Sequence, residues 1–221
     1  MQLTETFKPI ALTLFMGLAG ILDATEAKAE THETLTVAGG CFWCVESDFE
    51  SVPGVIEAVS GYTGGTSENP TYKQVTKGGS GHYEAVRITF DADKVSREKL
   101  LSLFFRSVDP TDSGGQFCDR GASYRTAVFV SNPGEKSLAE QAKSTAQSEL
   151  GQTIVTPILN ETPFYDAEDY HQDYYKGTGL VFTRFGPKRQ AAAYKRYRQA
   201  CGRDARVREL WGDAAPFASK Y

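Results

Sequence analysis

The chain has 221 residues, 24 Lys plus Arg against 28 Asp plus Glu, a formal charge of −4, and 40% hydrophobic and 12% aromatic residues. This composition excludes a disordered, collagen-like or coiled-coil chain, and it is rich enough in apolar residues to bury a core without covalent staples. The acidic balance argues against bulk nucleic-acid binding, and four cysteines are too few for a disulfide scaffold.

Ile10–Leu22 (IALTLFMGLAGIL) carries no charge and is too short to cross a bilayer core, which needs about twenty residues. Lys8 precedes it, and Ala27-Lys28-Ala29 follows as a small-x-small site. The pattern predicts a signal peptide over residues 1–29, cleaved after Ala29, and a periplasmic or secreted product with no stable membrane insertion. Residues 30–221 are expected to form a single domain, since no repeat or internal linker divides them. In an oxidising compartment, free thiols need an electron supply.

Thr34–Ala38 reads as a short strand broken by Gly39-Gly40, and Phe42, Val45 and Phe49 recur at helical spacing, so a helix opens at about Cys41. Pro53-Gly54 ends it. Val55–Tyr62 reads as a strand and Gly64–Gly81 as a long loop. In Tyr83–Phe90 (YEAVRITF), Glu84, Val86, Ile88 and Phe90 share one face, placing a carboxylate at the end of an apolar stripe. Ser96 caps a helix that buries Leu100, Leu101, Phe104, Phe105 and Val108. Asp109-Pro110 stops it, and a second Gly-rich loop runs from Thr111 to Ser123. Tyr124–Ser131 is a strand, Asn132-Pro133 opens a polar helix to about Leu150, and Gln152–Leu159 is an edge strand because of Pro157. Asp166–Lys176 is an aromatic helix or turn, Pro187–Ala200 a basic helix, and the tail irregular; the nine basic residues of Arg184–Arg208 read as a solvated helical face in preference to a nucleic-acid or anionic-surface contact. Strands and helices alternate in an α+β, two-layer α/β sandwich with a long irregular C-terminal region.

Cys41 follows a strand and a Gly-Gly turn and opens a helix, where the dipole and free N–H groups lower a thiol pKa. That suits a nucleophile, although a free cysteine is most often a small buried hydrophobe. Cys41-Phe42-Trp43-Cys44 is a CxxC, open to a thioredoxin-like redox pair, half of a zinc site, or a nucleophile with a nearby resolving thiol. Cys118 and Cys201 form no second CxxC, which weakens the zinc reading. A Cys-His hydrolase with His82 or His171 lacks any local arrangement that would order it. Glu84 can equally pair with Arg87 or Arg125, and Tyr72 and Tyr124 can be ordinary strand-end tyrosines.

Gly39-Gly40-Cys41-Phe42-Trp43-Cys44-Val45-Glu46 closely resembles the signature of peptide methionine sulfoxide reductases of the A class. VSGYTGG (Val59–Gly65), NPTYKQV (Asn69–Val75), GSGHYEAV (Gly79–Val86), DPTDSGGQFCDRGASYRT (Asp109–Thr126) and AEDYHQDY (Ala167–Tyr174) agree in order. The match runs over about Leu35–Lys176. The resemblance implies a ferredoxin-like core, no metal and no organic cofactor, with electrons from a thioredoxin-like dithiol donor. It implies reduction of methionine-S-sulfoxide, free or in proteins, through a sulfenic acid and a disulfide; with the N-terminal segment read as an export signal, the expected task is repair of exported proteins, and a monomer is the default expectation. It assigns attack to Cys41, the acid role to Glu84, hydrogen bonds on the sulfoxide oxygen to Tyr72 and Tyr124, an acidic neighbour to Asp119, and the methyl pocket to Phe42 and Trp43. His171 stays outside the catalytic set. Many members carry Gly at the position of Cys44 and Asn at that of Cys118, and Ser123 and Thr126 also depart from the family pattern. The resolving thiol is ranked Cys44 first, then Cys118 and Cys201. The competing expectation is a general CxxC disulfide oxidoreductase, and a third is a non-enzymatic binder of oxidised or Met-rich surfaces.

Overall fold

The computed structural model describes residue 2 and residues 31–218. The apolar run Ile10–Leu22 and the site after Ala29 lie outside the described residues. In chain order the elements are β1 (His32–Gly39), α1 (Phe42–Glu50), β2 (Val55–Thr63), α2 (Tyr72–Lys77), β3 (Tyr83–Asp91) and α3 (Arg97–Phe105). They continue with β4 (Gly115–Gln116), β5 (Asp119–Arg120), β6 (Thr126–Val130), α4 (Pro133–Leu150), β7 (Ile158–Asn160) and β8 (Tyr165–Asp166). The last are β9 (Leu180–Thr183), β10 (Gly186–Arg189), α5 (Gln190–Cys201) and α6 (Arg203–Trp211).

The chain is α+β. Its main sheet has the order β7-β6-β1-β3-β2-β8. All neighbours are antiparallel except β6 and β7. Register follows the side-chain alternation: Leu35 faces Ile88, Val37 faces Val86, and Tyr62 faces Glu84. One sheet face, with Leu35, Val37, Val86, Ile88, Phe90 and Val128, buries Val45 and Phe49 of α1 and Leu100, Leu101, Phe104 and Phe105 of α3. The opposite face holds a smaller cluster of Ala38, Tyr83, Ala85, Ala127 and Phe129. Glu84 therefore stands on the helix-covered face, beside the N-terminus of α1.

Helix starts follow the capping residues. Ser96 Oγ accepts the Lys99 N–H at 3.2 Å, and Asn132 Oδ1 accepts the Glu135 N–H at 3.0 Å with Pro133 next in line. Several elements depart from the sequence reading. The Gly64–Gly81 loop contains α2, opened by a Thr71/Gln74 capping box and anchored by buried Val75. Strand β6 begins at Thr126, because Ala122–Tyr124 is a 3-10 turn. Only Ile158–Asn160 of the Gln152 region pairs, since Pro157 has no N–H to donate. Asp169–His171 and Tyr174–Lys176 are two separate 3-10 turns. Gly186–Arg189 is a strand, not the start of the basic helix.

The largest correction is at the C-terminal end, where no irregular tail follows α5. Gly202, at φ +73°, turns the chain into α6, whose Val207 and Trp211 join the core. The basic face is not solvated either. Arg198 and Arg203 are among the largest fully buried side chains. Arg198 donates to Asp48 at 2.9 Å and to Asp204 at 2.8 Å, and Arg203 donates to the carbonyls of Gly39 and Ser107 at 3.0 Å each. Buried charges need such partners. No helix of the described residues is long and apolar enough to cross a membrane.

Candidate active site

The turn that presents Cys41 leaves little room. Gly40 sits at φ +78°, and a Cβ there would lie 2.5 Å from Gln116 Cβ. Gln116 is itself pinned, donating to the carbonyls of Asp109 and Gly115 at 2.8 Å and accepting the Asp109 N–H at 2.9 Å. The first glycine turn and the second Gly-rich loop are thus locked face to face. Cys41 caps α1, and its carbonyl accepts the Cys44 N–H at 3.0 Å.

Glu84 reaches that helix start from β3. It is 1% exposed, and its Oε2 accepts the Phe42 N–H at 3.1 Å. Oε1 is buried without a hydrogen-bond partner. Burial foremost, and then the Asp119 carboxylate, push the Glu84 carboxyl up to about 8, against the pull of the Phe42 N–H and the Tyr124 hydroxyl. At neutral pH it is an acid holding a proton. Neither arginine that offered an alternative role reaches it: Arg87 pairs with Asp166 at 3.0 Å, and Arg125 lies over the Tyr83 ring.

Tyr72 is the first residue of α2, held by its N–H to Glu168 Oε1 at 2.9 Å. Its hydroxyl is hydrogen-bonded to that of Tyr124, and burial raises both phenols, keeping them as neutral donors. Phe42 is buried and stacks on Tyr72, with ring centroids 6.2 Å apart. Trp43 stacks on Tyr174 at 3.8 Å and donates its indole N–H to His171 Nδ1 at 3.1 Å. Desolvation lowers His171 to about 4, so the ring is a neutral acceptor that orients the indole. Tyr174 and His171 hold Trp43 in place. The only hint of them in the sequence was AEDYHQDY, whose spacing does not say that it folds back on α1. His82 is elsewhere, accepting the Gly65 N–H at 3.2 Å.

Four cysteines line one cavity of about 520 Å³, together with Phe42, Trp43, Tyr72, Glu84, Asp119 and Tyr124. Cys41 and Cys44 are free thiols, while Cys118 and Cys201 form a disulfide. The expected acidic thiol is on the other cysteine of the CxxC. The hydrogen bond with Cys44 and burial raise Cys41, which also faces Glu84 and Asp119. The hydrogen bond from Cys41 lowers Cys44 to about 7, and Arg203 and Arg198 add to this against its burial. The hydrogen bond between the two thiols is the main cause of their opposite shifts, and the buried arginines favour negative charge on the Cys44 side. Asp119 is half-buried, raised by desolvation against the pull of Arg203 and Arg184.

Among the described residues, two groups bring three ligating atoms within 4.8 Å of one another. In Cys118, Asp119 and Cys201 the sulfurs are tied to each other. In Glu46, Glu50 and Asp173 the Lys176 ammonium already supplies the cation, 2.9 Å from Glu50 and 2.8 Å from Asp173.

A family model described as peptide methionine sulfoxide reductase matches residues 33–213. The peptide methionine sulfoxide reductase MsrA 2 of Rhizobium meliloti is 49% identical over 189 residues, covering 86% of this chain and 88% of the relative. The MsrA of Bacillus subtilis is 48% identical over 186 residues, covering 83% and 98%. Among solved structures, reduced Mxr1 of Saccharomyces cerevisiae superposes with a TM-score of 0.63 at 29% identity, covering 67% of this chain and 86% of the other. Methionine sulfoxide reductase A of Corynebacterium diphtheriae gives 0.61 at 28% identity, covering 69% and 78%. With sequence and fold in agreement, the chain belongs to the peptide methionine sulfoxide reductase family and is an oxidoreductase that reduces methionine sulfoxide with its cysteine thiols.

Proposed function

We propose that Cys41 attacks the sulfur of a methionine-S-sulfoxide while Glu84 protonates the departing oxygen. The observation that carries this is the neutral, buried Glu84 carboxyl, bonded to the N–H of Phe42 beside Cys41 and sharing its cavity. An oxide is a poor leaving group without a proton, and a carboxyl poised near neutral pH supplies one efficiently. Tyr72 and Tyr124 hold the oxygen, and Phe42 and Trp43 form the wall for the methyl group. As Cys41 attacks, its proton passes to the Cys44 thiolate. The products are a thioether and a sulfenic acid on Cys41, with Glu84 left as a carboxylate.

Cys44 then condenses with the sulfenic acid, releasing water and leaving a Cys41–Cys44 disulfide. Exchange with reduced Cys118 and Cys201 moves the disulfide to that pair, and a thioredoxin-like dithiol removes it. The thiols supply both electrons, so the reading asks for no metal or organic cofactor. Asp119, between the two pairs, belongs to the same acidic surround.

The strand order β6-β1-β3-β2, with α1 and α3 as crossovers, supports a ferredoxin-like core. The apolar run Ile10–Leu22 and the Ala27-Lys28-Ala29 site support export and cleavage after Ala29, leaving residues 30–221 to act on exported proteins. The central test is Cys41→Ser assayed on an S-sulfoxide with dithiol present. The expected outcome is no turnover; retained turnover removes the reading. Mass measurement of the N-terminus from fractionated cells tests export, which an intact Met1 in the cytoplasm would refute.

A further inference from the structure

The disulfide between Cys118 and Cys201 is not symmetric in its surroundings. Cys118 is exposed and Cys201 half-buried. The backbone N–H of Cys118 points at Cys201 Sγ, 3.1 Å away. The Asp119 carboxyl lies across the pair, with Oδ2 3.6 Å from Cys201 Sγ and Oδ1 3.8 Å from Cys118 Sγ. Thiol–disulfide exchange is decided by which sulfur the incoming thiolate reaches and which leaves more readily. An N–H aimed at a sulfur stabilises the thiolate that forms there, and a carboxyl beside it can hand over a proton.

We infer that the disulfide has a fixed polarity: an external thiolate attacks Cys118 Sγ, Cys201 leaves as a thiolate held by the Cys118 N–H, and Asp119 protonates it. In the first step a bond forms between the reductant sulfur and Cys118 Sγ, and the bond to Cys201 Sγ breaks with its electron pair going to Cys201. The proton moves from Asp119 to Cys201. In the second step the reductant's other thiolate attacks its own sulfur in the mixed disulfide and releases Cys118 as a thiolate, which takes a proton from solvent, as does Asp119. The dithiol is oxidised by two electrons, and the pair is reduced to two thiols. Burial of Asp119, which favours its protonated form, agrees with this role. Sequence order alone gives no polarity, because Asp119 adjoins Cys118 while its carboxyl lies nearer to the sulfur of Cys201.

The inference rests on the reading that this pair is the one an external dithiol reduces. Its test uses no sulfoxide, so its failure is separate from any failure of sulfoxide chemistry. The oxidised chain with Cys41 and Cys44 replaced by Ser is treated with limiting glutathione, quenched with acid, alkylated and mapped by mass spectrometry. The same is done on the unsubstituted chain after its two free thiols are alkylated, in case the double variant folds poorly. Glutathione is expected on Cys118 in about tenfold excess or more over Cys201, with the alkyl label on Cys201. Equal labelling, or glutathione on Cys201, overturns the polarity. Asp119→Asn is expected to slow the exchange by about tenfold or more without moving the label, and Asp119→Glu to recover part of the rate. An unchanged rate in Asp119→Asn removes the acid from the scheme.

Discussion

Two cysteine pairs line the same cavity in opposite conditions. Cys41 and Cys44 stand on the first turn of α1 as thiols, enclosed by aromatic rings and backed by buried arginines. Cys118 and Cys201 join a loop to the end of α5 at the exposed rim, and they are bonded to each other. The inner pair has its charge arranged by groups that solvent does not reach: Glu84 neutral on one side, Arg198 and Arg203 on the other. The outer pair reaches the surface, with Cys118 exposed and Cys201 half-buried. The contrast fits a separation of tasks under the proposed cycle, in which the inner pair meets the sulfoxide and the outer pair meets the external dithiol.

The largest break in this contrast is Glu84→Gln, which keeps the volume and removes the proton. The expected loss in kcat/KM is about 10²–10⁴-fold, read in steady-state kinetics, and a loss below threefold would move the acid elsewhere. The wild type should give a bell-shaped profile. Activity rises as Cys44 ionises near 7 and falls as Glu84 loses its proton near 8. The alkaline limb should vanish in Glu84→Gln. Stability carries the same sign: the folded carboxyl binds its proton more tightly than the unfolded one, so wild-type stability falls as pH rises from the ordinary carboxyl range through about 8. Glu84→Gln should flatten that fall in urea titrations.

Arg198→Met removes the close partner of buried Asp48, leaving it Arg203 at 3.9 Å, and should cost about 3–5 kcal/mol in denaturant unfolding. It should also slow alkylation of Cys44 at neutral pH, and unchanged alkylation would show that the arginines do not set its charge. The smallest effect sharpens the division most. With no external reductant, the fully reduced chain should convert two sulfoxides per chain, one for each cysteine pair, and Cys118→Ser only one. Equal yields would make the outer disulfide structural.

The inner half of the site was legible because its cues are local. A strand, two glycines and a helix start place Cys41 at the head of α1, and a two-residue alternation puts Glu84 at the end of a stripe. The Ser96 and Asn132 caps were likewise written next to the helices they begin. What was hidden depends on distant partners. Arg198 and Arg203 look like a solvated basic face until Asp48, on α1, and Asp204 come within reach. The lowering of Cys44 comes first from its hydrogen bond with Cys41 and then from those same arginines, whose approach no local rule about helix starts contains. Helix α2 was masked by glycines on either side, although Thr71 and Gln74 carried its capping box.

Arg203 has a consequence for the order in which the protein is made. Its guanidinium grips the carbonyl of Gly39, the residue that ends β1 just ahead of the reactive turn, and is supplied by the last long helix of the described residues. A nascent polypeptide exposes Cys41 long before Arg203 emerges. The turn that carries Cys41 is therefore completed late in synthesis, after every strand of the described residues has been delivered, and a chain cut short before α6 would carry Cys41 without the clasp on the strand ahead of it.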